Sequence, residues 1–180
     1  MRQEPFDPNG VAALLAWSHT LSSTTLPAVA GLFMSHAKSS PMISCHCVDA
    51  IAGQGLNGDR YALGEGFYSG KNGWGAPVTL IQKEAIDAVN FGQQANFRPE
   101  MLRRNILTVN IDLSLLLGRT FRCGKTVLRG VKPYPPCAHL AYLLGKPEVL
   151  KYFAHACGIG ADIVEGGSIQ VGDCIELADE

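Results

Sequence analysis

No stretch of this chain approaches the roughly 20 consecutive apolar residues that a bilayer-spanning helix needs. The opening Met-Arg-Gln-Glu-Pro-Phe-Asp-Pro is acidic and broken by proline, unlike a secretory signal. A cytoplasmic protein with no membrane partner is therefore expected. An excess of one charge is lacking too, because 15 Lys and Arg stand against 16 Asp and Glu, a formal net charge of −1 with no long run of either sign. That excludes a general field for nucleic acid, so any anion site is local. Paired metal-ligand motifs are also missing, since there is no CxxC and no HxxxH. Cys45 and Cys47 would share one face of a strand, with His46 on the other, but no second pair completes a metal site, and a structural role is the better reading. The chain has too much core and no export signal for a disulfide framework, so most of its six cysteines should be free thiols.

What is present is a chain of 180 residues, 47% hydrophobic and 17% charged, which suits one compact domain with a real core. The sequence predicts an N-terminal helix, with Asp7 as cap and Pro8 at its first position, and a polar connector over residues 1–28, and a main domain over 29–180. Alternating and apolar runs predict strands over 29–34, 42–48, 77–81 and 106–110. Turn signals predict hairpins joining 120–123 to 126–131 and 161–165 to 168–177, with a bulge or bend at Gly172-Asp173. Helical spacing predicts helices over 83–91, 138–144 and 147–156, and a helical turn over 113–117. Short strands with a few inserted helices give an α+β, mainly β, barrel-like domain. Without a βαβ repeat there is little case for a Rossmann sheet.

Arg129-Gly-Val-Lys-Pro-Tyr-Pro-Pro-Cys-Ala-His139 is the stretch on which the chemistry should converge. Pro133, Pro135 and Pro136 end a strand and force an irregular loop immediately before Cys137, which opens a helix-compatible segment. A thiol there meets unpaired N–H groups, with Arg129 and Lys132 close in sequence, surroundings that favour a thiolate able to act as nucleophile or soft-metal ligand. A buried structural cysteine is the equally weighted alternative. Elsewhere, the glycines of 53–61 would let a tight loop carry Asp59 and Arg60 to a site, although the two could simply pair with each other. The Gly-rich, aromatic segment 64–75 suits a loop over a surface, and a lid is conceivable. Arg103 and Arg104 precede a strand and should point to opposite sides, so at most one enters a pocket. His139 and His155, on helical segments, read as packed or surface groups.

Several separated features then coincide: Gly55-Leu-Asn-Gly-Asp-Arg60, Pro77-Val-Thr-Leu-Ile81 with Glu84-Ala-Ile, Arg103-Arg-Asn-Ile-Leu-Thr108, Leu117-Gly-Arg-Thr-Phe-Arg122, Pro136-Cys137 and Gly166-Gly-Ser-Ile-Gln-Val-Gly-Asp173. In order and spacing the chain resembles the MOSC domain family, named for the C-terminal domain of molybdenum-cofactor sulfurases, over about residues 29 to 177. The resemblance implies a strongly bent, mostly antiparallel β-barrel of the PK type and a cysteine, here Cys137, that binds molybdenum or carries sulfur. It implies the molybdenum cofactor (molybdopterin) as ligand, with Asp59, Arg60, Arg104 and Asn105 around it by motif position; Lys132, close to Cys137 in sequence, joins them as a candidate. Guanidinium groups suit the phosphate of the pterin. It also carries, at family level only, an association with pyridoxal phosphate.

Two activities follow from the resemblance. One is an oxidoreductase acting on N-hydroxylated small molecules, with a separate electron-donor protein, because no cysteine cluster spaced for an iron–sulfur module is present. The other is a sulfur carrier or cofactor-delivery protein, with a Cys137 persulfide charged by a cysteine desulfurase and passed to an acceptor. Tyr134 stands where some relatives have a second cysteine, which disfavours a two-thiol mechanism in this loop. The additional N-terminal β-barrel domain of larger relatives is not recognisable, which favours weak or transient retention of the cofactor.

Overall fold

The computed structural model describes residues 26–70 and 75–178; the expected helix at 7–18 lies outside them. The architecture is mainly β. An eight-stranded mixed sheet comprises β1 (Ala28–Met34), β2 (Ile43–Cys45), β5 (Val78–Gln82), β6 (Ile106–Val109), β7 (Thr120–Cys123), β8 (Thr126–Pro133), β9 (Ile159–Glu165) and β11 (Ile175–Leu177), in the order β11-β7-β8-β9-β5-β6-β1-β2. A three-stranded sheet comprises β3 (Cys47–Ile51), β4 (Gly55–Leu56) and β10 (Gly167–Gln170). The helices are α1 (Lys83–Gln93), α2 (Ala138–Leu144) and α3 (Val149–Tyr152). Among the described residues no helix is long and apolar enough to cross a membrane.

The ladders leave the large sheet open, so they do not draw the expected barrel. Its two sides nevertheless meet at one bridge, Ala28 to Cys174, flanked by bonds from Val29 N to Asp173 O (2.9 Å) and Ile175 N to Pro27 O (2.9 Å). Pairing is antiparallel except between β5 and β6, which run parallel across the α1 crossover. One β-α-β unit is thus present where none was expected. The reason lies in burial: successive strand residues point to opposite faces, and here both faces are covered, as parallel strands require. Leu80, Ile106, Phe121, Leu128 and Ile169 fill one core, while Ile81, Leu107, Ile86, Leu140 and Phe153 fill a second between the sheet and the helices.

Three further expectations are corrected. The run 42–48 is not one strand, because the chain leaves the large sheet at His46 and enters the small one at Cys47. Cys45 and Cys47 therefore occupy different strands, and among the described residues no group of three His, Cys, Asp or Glu could hold a metal ion. The 161–177 hairpin does not form either. Strand β9 pairs β5 and β8, whereas β10 pairs β3 and β11 pairs β7. Gly166 and Gly167 serve close approach there: a Cβ on Gly166 would lie 2.8 Å from the Ala50 carbonyl, and one on Gly167 would strike that of Lys125. The bend foreseen at Gly172 is present, with φ of 96°. Finally, the helix expected over 147–156 contracts to α3. Gly53-Gln-Gly-Leu-Asn-Gly58 spells the dinucleotide fingerprint in letters, but β4 lies within it and turns, in place of a helix, follow it.

Candidate functional site

Strand β8 runs on to Pro133, two residues beyond its expected end, because its register shifts against β9 between Gly130 and Lys132. The loop that follows is fixed from behind. Tyr134 N donates to Gly158 O (3.0 Å), and the Tyr134 carbonyl accepts from Arg104 Nη2. Arg104 also donates through Nε to Cys157 O (3.3 Å) and through Nη1 to Leu102 O (3.0 Å), and its guanidinium lies 5.0 Å from the centre of the Tyr134 ring. Three of its five N–H groups are thereby committed to backbone carbonyls. Burial pushes its pKa down, opposed by Tyr134, Cys157 and Cys137 nearby. Arg104 is thus first a strut for the proline loop, and only secondarily a donor toward the cleft.

That loop delivers Cys137 in an extended conformation (φ −120°, ψ 166°) at the start of α2, half-buried and unbridged. It lines a cleft of about 410 Å³ together with Arg60, Arg103, Arg104, Lys132 and Lys38, the aromatic rings of Tyr61, Phe67, Tyr68 and Tyr134, and His139. No carboxylate is among the described residues that line it. Of the predicted site residues, Arg60, Arg104, Lys132 and Cys137 therefore converge on one cavity. Arg129 does not; it is exposed on β8, opposite Thr120 and Asp162.

Asp59 and Asn105 sit behind the cleft wall. Asp59 is fully buried and accepts from Ser35 N (3.1 Å), Tyr61 N (3.1 Å), Asn105 Nδ2 (3.2 Å) and Arg60 Nη1 (3.2 Å). Asn105 Oδ1 in turn accepts from Thr79 N (3.2 Å) and Thr79 Oγ1 (2.9 Å), pinning the carboxylate partner to β5. The pair of Asp59 and Arg60 is real, as the simplest reading of that loop held, yet it also aims the guanidinium into the cavity.

Strand alternation predicts that at most one of Arg103 and Arg104 enters a pocket, and the structure corrects this for Arg103. It is a left-handed residue (φ 57°) closing the 3-10 turn Pro99–Leu102, so strand geometry begins only at Ile106 and both arginines reach the cleft. Its guanidinium donates to Ser40 O (2.6 Å) and Lys38 O (3.2 Å); burial and the neighbouring Arg60 push its pKa down to about 10. Tyr68 was missed within a glycine-rich loop. It lines the cleft that holds Cys137, and burial first, then the neighbouring Cys137 and Tyr61, push its pKa up to about 12. Tyr134 is likewise held above its ordinary value, chiefly by burial and with Tyr61 nearby. No spacing rule marks either tyrosine.

The chemistry available is that of one accessible thiol, several cations and an aromatic wall: it suits an anionic, planar ligand held beside sulfur. The family model described as MOSC domain matches residues 68–176, which include Tyr68, Arg104 and Cys137 and leave out Asp59 and Arg60. Among solved structures, the YuaD protein of Bacillus subtilis is similar at 18% identity and a TM-score of 0.68, over 84% of this chain and 95% of that one. YiiM of Geobacillus stearothermophilus is similar at 13% identity and a TM-score of 0.64, over 85% of this chain and 75% of that one. YiiM of Escherichia coli gives 15%, 0.61, 85% and 70% for the same quantities. No curated protein matches the sequence. At these identities the structural likenesses speak for the fold alone.

Proposed function

The chain belongs to the MOSC domain family, and from that premise we propose that it binds the molybdenum cofactor, with Cys137 as the protein's ligand to the metal, and reduces N-hydroxylated compounds. The carrying observation is that Cys137 shares its cleft with Arg60, Arg103, Lys132 and Lys38, and that no carboxylate is among the described residues lining it. Among the described residues no group of three His, Cys, Asp or Glu could hold a metal ion, so the thiolate suits a metal that arrives with most of its coordination sphere already filled. The cations suit a phosphate, and the aromatic rings suit the faces of a pterin. We take the open sheet, with its bridge at Ala28, as the family's bent barrel.

When bound, the cofactor supplies a two-electron centre able to exchange an oxygen atom with a substrate. This chain's residues do the rest: Cys137 anchors, Arg60 and Lys132 neutralise the phosphate, Tyr68 keeps a proton on Oη beside the sulfur, and the aromatic wall excludes water. Converting R–NHOH to R–NH₂ and water consumes two electrons and two protons, so a separate electron-donor protein belongs to the proposal.

The test is molybdenum content, by elemental analysis, of protein made in a host competent for cofactor synthesis. Wild type should carry the metal, and Cys137→Ala should lose about nine-tenths of it, a loss of the size expected when the sole protein ligand is removed. Equal content in both would overturn the ligand assignment. Metal-free wild type bearing a labile adduct of about 32 Da on Cys137 after incubation with a cysteine desulfurase would favour the sulfur carrier instead.

A further inference from the structure

We propose that residues 64–70 form a clasp that aims the Cys137 sulfur, with Tyr68 as its positioning residue and Phe67 as its fastening. The proposal rests on the reading that Cys137 is the ligating or reacting thiol. The two aromatic residues engage the first turn of α2 at both of its ends. Tyr68 lines the same cleft as Cys137, the residue that opens the helix. Phe67 stacks on His139, two residues further on, with ring centres 3.9 Å apart and planes inclined by 8°. The rings of Phe67 and Tyr68 meet edge to face at 4.9 Å, so the two contacts are mechanically joined. His139 Nε2 lies 3.4 Å from Lys38 O, which extends the same row across the cleft mouth.

The clasp is built to hold a shape. Gly66 N donates to Ser69 Oγ (3.0 Å) and Ser69 N to Gly66 O (3.0 Å), closing the turn on itself, and Glu65 N donates to Arg60 O (2.7 Å), tying it to the arginine of the cleft wall. Gly66 admits the Tyr61 ring, since a Cβ there would lie 2.6 Å from it. Gly64 and Gly70, both at φ 75°, turn the chain at either end. A phenolic O–H on the wall of the same cleft can occupy one acceptor direction of the sulfur and leave the others for a ligand. In metal sites, such outer hydrogen bonds fix the orientation and donor strength of the residue that binds.

The decisive experiment reads Cys137 directly in the full-length protein without metal, through its alkylation by iodoacetamide, with exposed Cys47 as the internal standard and buried Cys123 as the reporter of folding. Phe67→Ala and His139→Ala should each accelerate Cys137 roughly 2- to 10-fold relative to Cys47, the range expected for losing one aromatic pair. The double variant should be no faster than the faster single one, because both remove one contact. Wild-type rates in both single variants would overturn the clasp. Should Cys123 become reactive in Phe67→Ala, Phe67→Leu, which keeps bulk and loses the stack, decides in its place. In metal-loaded protein, Tyr68→Phe should keep the molybdenum content and shift the g values of the Mo(V) paramagnetic resonance spectrum. Unchanged g values would remove Tyr68 from its positioning role. Failure to load metal would sink the cofactor reading while the alkylation result still decides the clasp.

Discussion

Asp59→Ala should lose roughly 3–5 kcal/mol of stability and melt about 10 °C or more below wild type, the cost of breaking a buried ion pair from one side. The carboxylate is fully buried and satisfies four donors at 3.1–3.2 Å, from Ser35, Tyr61, Asn105 and Arg60. Its removal strands the Arg60 guanidinium, whose remaining partners are the Met42 sulfur (3.2 Å) and the Arg103 carbonyl (3.4 Å). Desolvation of an unpaired cation dominates, because each neutral donor left behind costs only about 1–3 kcal/mol and water can relieve part of that. Two-sided replacement makes the argument sharp. Asp59→Asn with Arg60→Met should recover much of the loss seen in Asp59→Asn alone, since charge leaves from both sides. It should also weaken anion binding in the cleft, because Arg60 faces it. Urea unfolding of the three variants checks this; a double variant no more stable than Asp59→Asn would sink the account.

Gly158→Ala should be nearly as costly, and its effect should reach Cys137. The residue has φ of 74°, and an added Cβ would be driven into the Leu80 carbonyl oxygen, part of the β5–β9 pairing. Left-handed conformation costs an L-residue about 1–2 kcal/mol, and relieving the clash raises the total to roughly 3 kcal/mol. Gly64→Ala provides the comparison: φ is 75° there, but nothing lies within 4 Å of the added methyl, so only the conformational part applies. If thermal unfolding shows equal losses in the two variants, the clash carries nothing. Gly158 O also receives the Tyr134 N–H (3.0 Å), and Arg104 holds the adjoining Cys157 carbonyl (3.3 Å). A displaced Gly158 therefore moves the loop that presents Cys137, and Gly158→Ala should retain less cofactor than its residual stability alone would predict.

How much of this could be read from the chain depends on whether a residue's role is local. The proline loop, the strand before it and the helix after Cys137 were legible because proline and periodicity act within a few residues. Strand β6 and helix α1 were legible for the same reason. The break at His46 was not, since nothing in Ile43 to Ile51 says which sheet each half will pair with, and both halves carry alternating patterns. Gly166-Gly167 looked like a hairpin turn because glycine signals backbone freedom, whereas here it signals the absence of a Cβ at a crossing of two sheets. In the cleft, Arg60, Arg104, Lys132 and Cys137 were found by their types and their motifs. Arg103 escaped because a non-glycine residue at φ 57° has no sequence mark, and Tyr68 because its partner is 69 positions away.

The bridge between Ala28 and Cys174 bears on how such a fold travels between proteins. With Ile175 N bonded to Pro27 O at 2.9 Å, the first and last strands leave the body of the fold side by side. A host protein can therefore receive the whole unit within a single surface loop, with no distance to span and no strand to reroute. The same proximity lets a short peptide join residue 178 to residue 26 and new ends be opened at an exposed turn such as Gly118, where φ is 74° and a side chain would meet nothing within 4 Å. Such a permuted chain keeps every ladder described above.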